Sequence, residues 1–162
     1  MHEGGISTPL VAHWPNGFAP RSAAQAACHV VDILPTILEA TGASYLSELD
    51  GHAIQPMQGE SLMELLKGKD WSREQPIFFE HEGNAAIRLG QFKLVRLHGQ
   101  DWELYDMEAD RTELHDLIHG EEDRARSMIR QYQAWADKAG VMDWNIALPK
   151  LLAAWGMDSA DG

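Results

Sequence analysis

The chain has 162 residues, of which 44% are hydrophobic and 23% charged, a balance typical of a folded globular protein. Its formal charge of −12, from 25 acidic and 13 basic residues, argues against nucleic acid or an anionic membrane as a partner, because both require clustered Lys and Arg. A locally basic pocket for an anionic substrate remains compatible with this charge.

Cys28 is the single cysteine, so an intrachain disulfide is impossible and the thiol count says little about the compartment. No apolar run approaches the roughly 20 residues that span a bilayer. Met1 leads directly into a glycine-containing stretch, without the basic region and apolar core of a signal peptide. These features predict no membrane segment and leave the localisation undetermined.

The first predicted element is a short strand from Pro9 to Trp14. Its apolar side chains point to both faces, which favours a strand buried within a parallel or mixed sheet. Nothing upstream can supply the neighbouring strands, so the chain is expected to be a piece of something larger. An unpaired strand from Leu10 to Trp14 would also promote self-association.

Two helices are predicted next. The first begins at Asp32 as its N-cap and ends at Gly42. Its apolar stripe, which should pack against a core, consists of Ile33, Leu34, Ile37, Leu38 and Thr41. The second is short, with Ser61 and Glu64 forming a capping box and Gly68 ending it.

The second half of the chain predicts an antiparallel meander and a long covering helix. The strand candidates share short apolar or alternating runs, at residues 76–80, 85–89, 92–96 and 102–105. Gly90-Gln91 fits a type II′ turn. The helix runs from about Glu121 to Ala139, and its apolar face should pack across the sheet. The aromatic residues expected in that core are Trp102, Tyr105, Tyr132 and Trp135, and a tail helix after Trp144 should be interrupted by Pro149.

Five runs resemble sulfatase motifs and occur in the family's order. They are His2–Val11 with Trp14-Pro15, similar to the stretch after the active-site lysine; Val31–Leu38, similar to "VDLLPTLL"; Gly59–Leu62, similar to "DGxSL"; Glu80–Leu94, similar to "EHEGN…AVRxGxWKLV"; and Glu103–Leu117, similar to "ELYDLxxDPxExxNL". The chain is therefore identified as resembling the C-terminal portion of the sulfatase (arylsulfatase) family.

The resemblance implies an α/β, alkaline-phosphatase-like fold of which only the last portion is present. Residues 1–70 would be the end of the catalytic α/β domain, with one strand and two helices. Residues 71–140 would be a C-terminal α+β subdomain, a four-stranded antiparallel sheet packed on a long helix. Residues 141–162 would form a tail.

The resemblance also implies hydrolysis of sulfate esters, with formylglycine and Ca²⁺ in the complete enzyme and a sulfated small molecule or sulfated glycan as substrate. This chain should hold neither cofactor. Cys28 lacks the Pro and Arg of the formylglycine motif, no Asp-Asp or Asp-Asn pair exists, and the family's lysine would precede Met1. No residue is assigned a catalytic or metal-binding role, and the chain alone is expected to be inactive. A periplasmic or secreted location would fit bacterial sulfatases.

The residues proposed from the sequence to line a substrate pocket are His81, Glu82, Asn84, Arg88 and His2. The alternative for the first three is an ordinary strand-to-turn junction with solvated side chains. Arg88, Lys93 and Arg96 form the basic cluster of the meander, either as cross-strand partners of acidic residues or as a contact for a sulfated substrate. Glu3, followed by two glycines, either makes a structural hydrogen bond or begins an anion cradle.

Two other functions stay open at this stage. A phosphate or phosphonate ester hydrolase of the same superfamily would share these fold elements, and its distinguishing residues would lie upstream. A non-catalytic binding or assembly module would use the meander to recognise a partner.

Overall fold

The computed structural model describes residues 1–18 and 23–157. Its elements, in chain order, are α1 (Glu3–Ile6), a 3-10 turn (Val30–Asp32), α2 (Ile33–Thr41), β1 (Glu48–Leu49), β2 (His52–Ala53), α3 (Met63–Leu66), β3 (Ile77–His81), β4 (Asn84–Leu89), β5 (Phe92–Arg96), β6 (Glu103–Asp106), α4 (Glu122–Ala139) and α5 (Trp144–Ala154).

The chain forms two compact units. The sheet unit consists of Met1–Thr8 with Pro76–Gly162, and the helical unit consists of Pro9–Gln75. This grouping differs from the predicted division at residues 70 and 140, because the first eight residues and the tail both belong with the sheet. None of the helices in the described ranges combines the length and apolarity that crossing a bilayer requires.

The sheet unit is built on the predicted meander, with strand order β3-β4-β5-β6 and all neighbours antiparallel. The observed strands match the predicted ones to within a residue or two at each end. Gly90, which joins β4 to β5, has φ 58°, the left-handed value that the predicted turn requires of its first residue. The prediction of a four-stranded antiparallel sheet with a long helix is confirmed.

One face of the sheet, the helix face, packs against α4. The buried residues of this core come from both layers: Ala85, Ile87, Leu94, Leu104, Ala125, Met128, Tyr132 and Ala136. Each large apolar side chain buried this way stabilises the fold by about 1.5–3 kcal/mol. Trp102 and Trp135 pack against the same cluster, as predicted. Gly140, with φ 73°, ends the helix in the left-handed conformation.

The opposite face of the sheet, called here the second face, has its own apolar cluster. It contains Ala86, Val95, Tyr105 and Met107, with Met1 packed against it. The prediction that Tyr105 belongs to the helix-packed core is therefore wrong. Successive residues of a strand point to opposite faces, so Tyr105 must point away from α4 when its neighbour packs against that helix.

The helical unit is organised around a buried carboxylate. Asp32 is fully buried, and its side chain accepts hydrogen bonds from the backbone N–H of His29 (2.7 Å) and of Glu60 (2.9 Å) and from Arg73. Asp32 occupies the N-cap position of α2 without capping it. Gly59 makes the approach of residue 60 possible, because it has φ 88° and a Cβ there would lie 2.4 Å from a backbone oxygen.

Helix α2 has the predicted bounds and ends at Gly42, but its burial is reversed. Pro35 and Thr36 are buried, and the Thr36 hydroxyl accepts the backbone N–H of Leu62 at 2.9 Å. The predicted core stripe lies outward, with Ile33 and Ile37 exposed by 42% and 52%. The expectation that this stripe packs against a core is therefore not met within the described residues.

Two further expectations for the helical unit are wrong. Residues 9–14 form no strand, because a strand needs a partner for its backbone N–H and C=O groups and the described residues provide none there. The predicted self-association of Leu10–Trp14 therefore lacks the strand on which it rested. The predicted capping box does not form either: α3 starts only at Met63, whose N–H is 3.3 Å from the Ser61 hydroxyl, and Glu64 pairs instead with Lys69.

The tail forms α5, which is continuous through Pro149 rather than interrupted by it. The Asp143 carboxylate caps the helix by accepting the N–H of Asn145 at 2.8 Å. No residue of this helix is buried.

Candidate functional site

Three of the five predicted pocket residues share the second face of the sheet. In the pairing of β3 with β4, His81 lies opposite Asn84, and Phe79 lies opposite Ala86. The latter pair belongs to the second-face cluster. Since alternate residues of a strand point the same way, His81, Asn84 and Arg88 are also on this face.

Glu82 lies at the tip of the turn between these strands. Both central residues of this two-residue turn are left-handed, Glu82 with φ 55° and Gly83 with φ 80°, as a type I′ turn requires. The Glu80 carboxylate accepts the Gly83 N–H at 3.0 Å. The two central residues of the turn are thus Glu82 and Gly83, between the paired residues His81 and Asn84. A left-handed glutamate costs roughly 1–2 kcal/mol, so the surrounding contacts must hold it.

Asn84 fixes the position of this turn. Its side-chain nitrogen donates to the His81 carbonyl at 2.8 Å, and its side-chain oxygen accepts the His98 N–H at 3.0 Å. Gly83 has no room for a side chain, since a Cβ would lie 2.6 Å from the His98 ring and 2.8 Å from Cβ of Trp144. Both amide ends of Asn84 are therefore used for positioning.

His2, just before α1, contacts β6 at the other side of the second face. Its Nε2 is 2.9 Å from Oε2 of Glu103, and its ring meets the Tyr105 ring edge-on with centroids 6.2 Å apart. Burial, and then the neighbouring Glu103 carboxylate, raise the pKa of Tyr105. The tyrosine is therefore neutral throughout the physiological range and acts here as a packing surface.

Beside it lies a buried ionic cluster that joins α1 to the sheet. Lys93 is fully buried, with Nζ 3.0 Å from Oε1 of Glu3 and 2.7 Å from Oε1 of Glu113. The second contact is an ion pair without hydrogen-bond geometry. Oε2 of Glu113 also accepts the Glu3 backbone N–H at 2.7 Å. Glu3 thus makes the predicted structural contact, through its carboxylate and its backbone.

The basic cluster predicted from Arg88, Lys93 and Arg96 does not form. Arg96 points to the helix face, where its guanidinium lies 4.8 Å from the Trp102 ring centre. The charge of Lys93 is neutralised by the carboxylates of Glu3 and Glu113. Arg88 remains on the second face, where its Nε is 3.4 Å from the Gly90 carbonyl, and it has no ion pair with any residue of the described ranges.

Sequence reasoning missed the partners of Lys93. Glu3 is 90 positions away, so no spacing rule could reveal the pair. The available signal was the resemblance, because Glu3, Lys93 and Glu113 each lie in a sulfatase-like run. Because these three charged residues lie in such runs beside otherwise apolar strands, they could have been proposed together as one ionic cluster.

The described residues do not fit the calcium ion or the formylglycine that the resemblance implies. No group of three His, Cys, Asp or Glu side chains in residues 1–18 and 23–157 is placed to hold a metal. Cys28 is half-buried, with Sγ 3.5 Å from the Ala26 carbonyl. Burial and the charge of Asp32 raise the pKa of its thiol, and Arg73 opposes them only in part. A raised pKa is the opposite of an activated thiol.

A family model described as "N-sulphoglucosamine sulphohydrolase, C-terminal" matches residues 1–136. An uncharacterized sulfatase of Schizosaccharomyces pombe is 29% identical over 155 residues, which cover 86% of this chain and 26% of that protein. The N-acetylglucosamine-6-O-sulfatase of Bacteroides thetaiotaomicron is 27% identical over 124 residues, covering 73% and 22%. The chain thus spans about a quarter of the length of these relatives.

The fold has solved counterparts as well. The crystal structure of Ps i-CgsB is similar with a TM-score of 0.62 and 25% identity, over 76% of this chain and 27% of that one. Ps i-CgsB in complex with k-i-k-neocarrahexaose gives a TM-score of 0.51 at 26% identity, over 65% and 23%.

Proposed function

The chain belongs to the sulfatase family, in the C-terminal region that the family model describes, and from this premise we propose that its second face forms a wall of the substrate pocket in an enzyme that hydrolyses sulfate esters of sugars. In that reaction water adds to sulfur and the S–O bond to the sugar breaks. The products are the sugar alcohol and hydrogen sulfate.

The observation that carries the proposal is the grouping of His81 and Arg88 on one face of the sheet. Arg88 has no anionic partner among the described residues, although the protein as a whole is strongly acidic. A guanidinium can donate two parallel hydrogen bonds to adjacent oxygens of a sulfate group. His81 is exposed, and its ring forms no hydrogen bond with another described residue, so it can reach a substrate oxygen.

The other candidate residues take different roles in this proposal. Asn84 positions the turn, because both ends of its amide already bind backbone. Glu82, at the exposed tip, carries a negative charge that repels sulfate and suits a sugar hydroxyl instead. His2 is held by Glu103 and presents its ring at the opposite edge of the face.

The comparisons support a sugar as the carrier of the sulfate. One relative is an N-acetylglucosamine-6-O-sulfatase, and one structural counterpart binds a neocarrahexaose. In the complete enzyme, formylglycine would supply the nucleophile and Ca²⁺ would neutralise the sulfate oxygens. Both would come from residues other than those described here, so the role of this chain is to bind and orient the substrate.

The first experiment measures turnover by the isolated chain. The purified 162-residue protein, incubated with an aryl sulfate and Ca²⁺, is expected to give no product. Measurable turnover would contradict the proposal, because it would place the reactive groups on this chain.

The second experiment uses a chimeric protein, called here the joined protein. It is the N-acetylglucosamine-6-O-sulfatase of Bacteroides thetaiotaomicron in which this chain replaces the region that it matches. Arg88→Ala should raise KM for a sulfated sugar about tenfold or more, since a charge-assisted hydrogen bond is lost. His81→Ala should act in the same direction.

The matched control is Arg130→Ala, which removes an exposed arginine from α4 on the other side of the sheet. It should leave KM unchanged. Equal effects of Arg88→Ala and Arg130→Ala would mean that the second face is not part of the pocket.

A further inference from the structure

His2 is held in place from two sides. Its backbone is fixed through the next residue, because the Glu3 N–H donates to Oε2 of Glu113 at 2.7 Å and the Glu3 carboxylate lies 3.0 Å from Nζ of the fully buried Lys93. Its ring is fixed by Glu103 of β6, whose Oε2 lies 2.9 Å from Nε2. The position of the imidazole is therefore set by residues far away in the sequence.

One ring nitrogen of His2 is engaged and the other is available. Nε2 faces the Glu103 carboxylate, whereas Nδ1 has no hydrogen-bond partner among residues 1–18 and 23–157 and is not buried. His2 lies at the N-cap position of α1, but its side chain caps nothing there. Nδ1 of His29, by contrast, accepts a backbone N–H at the start of the 3-10 turn. Nδ1 of His2 is thus open to a ligand.

The Glu103 carboxylate decides which tautomer the neutral ring of His2 adopts. A carboxylate oxygen only accepts hydrogen bonds, so Nε2 carries the proton and Nδ1 is left as an acceptor. Tyr105 lies two residues further along the same strand and therefore on the same face. Burial, and then the charge of Glu103, raise the pKa of Tyr105, so this neighbour brings no second negative charge to the ring.

An imidazole nitrogen that accepts a hydrogen bond recognises only a donor. The oxygens of a sulfate ester carry no proton and are acceptors, so they do not suit Nδ1 of the neutral ring. A sugar hydroxyl has a proton to donate and does suit it. The side chain of His2 is 34% exposed, which leaves room for such a group while the ring stays packed edge-on against Tyr105.

We infer that His2 is a specificity-determining residue, whose Nδ1 accepts a hydrogen bond from a sugar hydroxyl, and that Glu103 is the positioning residue that holds the ring in the Nε2–H tautomer. The inference rests on the proposed function, since it takes the second face to be a wall of the substrate pocket. It adds which part of the substrate this edge of the face contacts, namely the sugar and not the sulfate group.

The first test measures the tautomer directly and needs no turnover. Long-range ¹H–¹⁵N NMR spectra of the histidine rings are recorded on the 162-residue chain at about pH 8, where an ordinary imidazole is neutral, and His2→Gln assigns the signals. The ring of His2 should show a protonated Nε2 and an unprotonated Nδ1. In Glu103→Ala it should exchange between both tautomers. A protonated Nδ1, or a spectrum that Glu103→Ala leaves unchanged, would overturn the inference.

The second test uses amide side chains that each replace one ring nitrogen. In the joined protein, His2→Asn keeps a hydrogen-bonding group near the position of Nδ1, and His2→Gln keeps one near the position of Nε2. His2→Gln and His2→Ala should both raise KM for N-acetylglucosamine 6-O-sulfate about three- to tenfold, as expected for the loss of one neutral hydrogen bond. His2→Asn should retain most of the affinity. The reverse order would contradict the inference, because it would leave only the contact with Glu103 as important.

Inorganic sulfate, used as a competitive inhibitor of the joined protein, shows which part of the substrate His2 contacts. His2→Ala should leave the inhibition constant of sulfate unchanged while it raises KM for the sulfated sugar. An equal loss for both ligands would assign the histidine to the sulfate group and refute the inference. His119→Ala, which removes an exposed histidine from the segment before α4, is the matched control and should change neither constant.

The same measurements separate this inference from the proposed function. Arg88→Ala in the joined protein tests whether the second face binds the sulfate group, and the three His2 variants test its edge. If Arg88→Ala raises KM and the His2 variants do not, the proposed function stands and the inference fails. If the His2 variants follow the expected order and Arg88→Ala has no effect, the inference stands and the role of Arg88 in the proposed function fails.

Discussion

The sheet unit and the helical unit use their apolar residues in opposite ways. The sheet unit buries them on both faces of one sheet, with Ile87, Leu94 and Leu104 fully inaccessible. In the described helical unit, the buried hydrophobic side chains of the core are Leu62 and Met63, whereas the α2 stripe faces outward. A hydrophobic pattern therefore tells which side of an element must be covered, and the tertiary structure tells whether the same chain provides the cover.

Buried charge also plays a different part in each unit. In the sheet unit, Lys93 joins two carboxylates that lie far apart in the sequence and holds α1 in place. In the helical unit, the ion pair of Asp32 and Arg73 forms the buried centre around which the unit is organised. If this comparison is right, removing a charge should be most damaging where apolar packing surrounds it.

The largest expected effect is that of Lys93→Ala in the sheet unit. It leaves Glu3 and Glu113 buried without a cation and should lower the free energy of unfolding by about 3–5 kcal/mol. Urea unfolding followed by circular dichroism measures it, with the exposed Lys138→Ala as the control. A loss below about 1 kcal/mol would show that water, rather than protein, surrounds the cluster.

The next-largest expected effect is the difference in stability cost between the same substitution, Ile to Ala, in the two units. Ile87→Ala removes side-chain atoms from a fully buried site and should cost about 3 kcal/mol. Ile37→Ala, on the exposed stripe, should change the stability of the isolated chain by no more than about 0.5 kcal/mol. Hydrogen exchange can assign each change to its unit, and equal costs would break the comparison.

A glycine pair tests how rigid each unit is. Gly59→Ala should cost about 2–3 kcal/mol, because the new Cβ would collide with the Val31 carbonyl, which is backbone and cannot rotate away. Gly90→Ala should cost only about 1–2 kcal/mol, since it adds left-handed strain but meets no atom within 4 Å. Thermal unfolding ranks the two, and a reversed order would mean that the contact at Gly59 can relax.

The smallest expected effect is a difference in acid sensitivity. Burial lowers the pKa of His29 in the helical unit below its ordinary value of 6.5. The contribution of this histidine to stability is therefore complete above about pH 6.5, where the ring is neutral in both the folded and the unfolded chain, and is lost as the pH falls through the pKa of the folded state. In the sheet unit, the hydrogen bond from Gln91 lowers the pKa of Asp106 from 3.8, so that contribution is lost only in stronger acid.

The helical unit should therefore weaken first between pH 7 and pH 5. NMR titration of His29, together with amide exchange at both pH values, measures this, and His29→Gln should remove the difference. Simultaneous weakening of both units above pH 5 would contradict the assignment of the acid response to His29.

Much of the fold could be predicted because its signals are local. The four strands and α4 follow from alternation, helical periodicity and the glycines at residues 90 and 140. The errors arose where long-range contacts decide. Tyr105 was assigned to the wrong side of the sheet, and Ser61 and Glu64 were assigned a capping box that other partners replace.

The candidate site could be predicted only in part. The resemblance and the turn chemistry pointed to residues 81–88, and strand pairing adds that His81 and Arg88 share a face. The pairing of Lys93 with Glu3 depends on a contact across 90 positions. No local rule reports such a contact, because it depends on how the chain returns to the sheet.

The sequence by itself determined the family and the meander with its long helix, since the motifs, the alternation and the helical periodicity that indicate them depend on neighbouring residues. The tertiary structure decided which face of the sheet carries His81 and Arg88, which carboxylates neutralise Lys93, and that α2 turns its apolar stripe outward. The physical reason is that burial and ion pairing depend on distances between residues far apart in the chain, which only the folded backbone fixes.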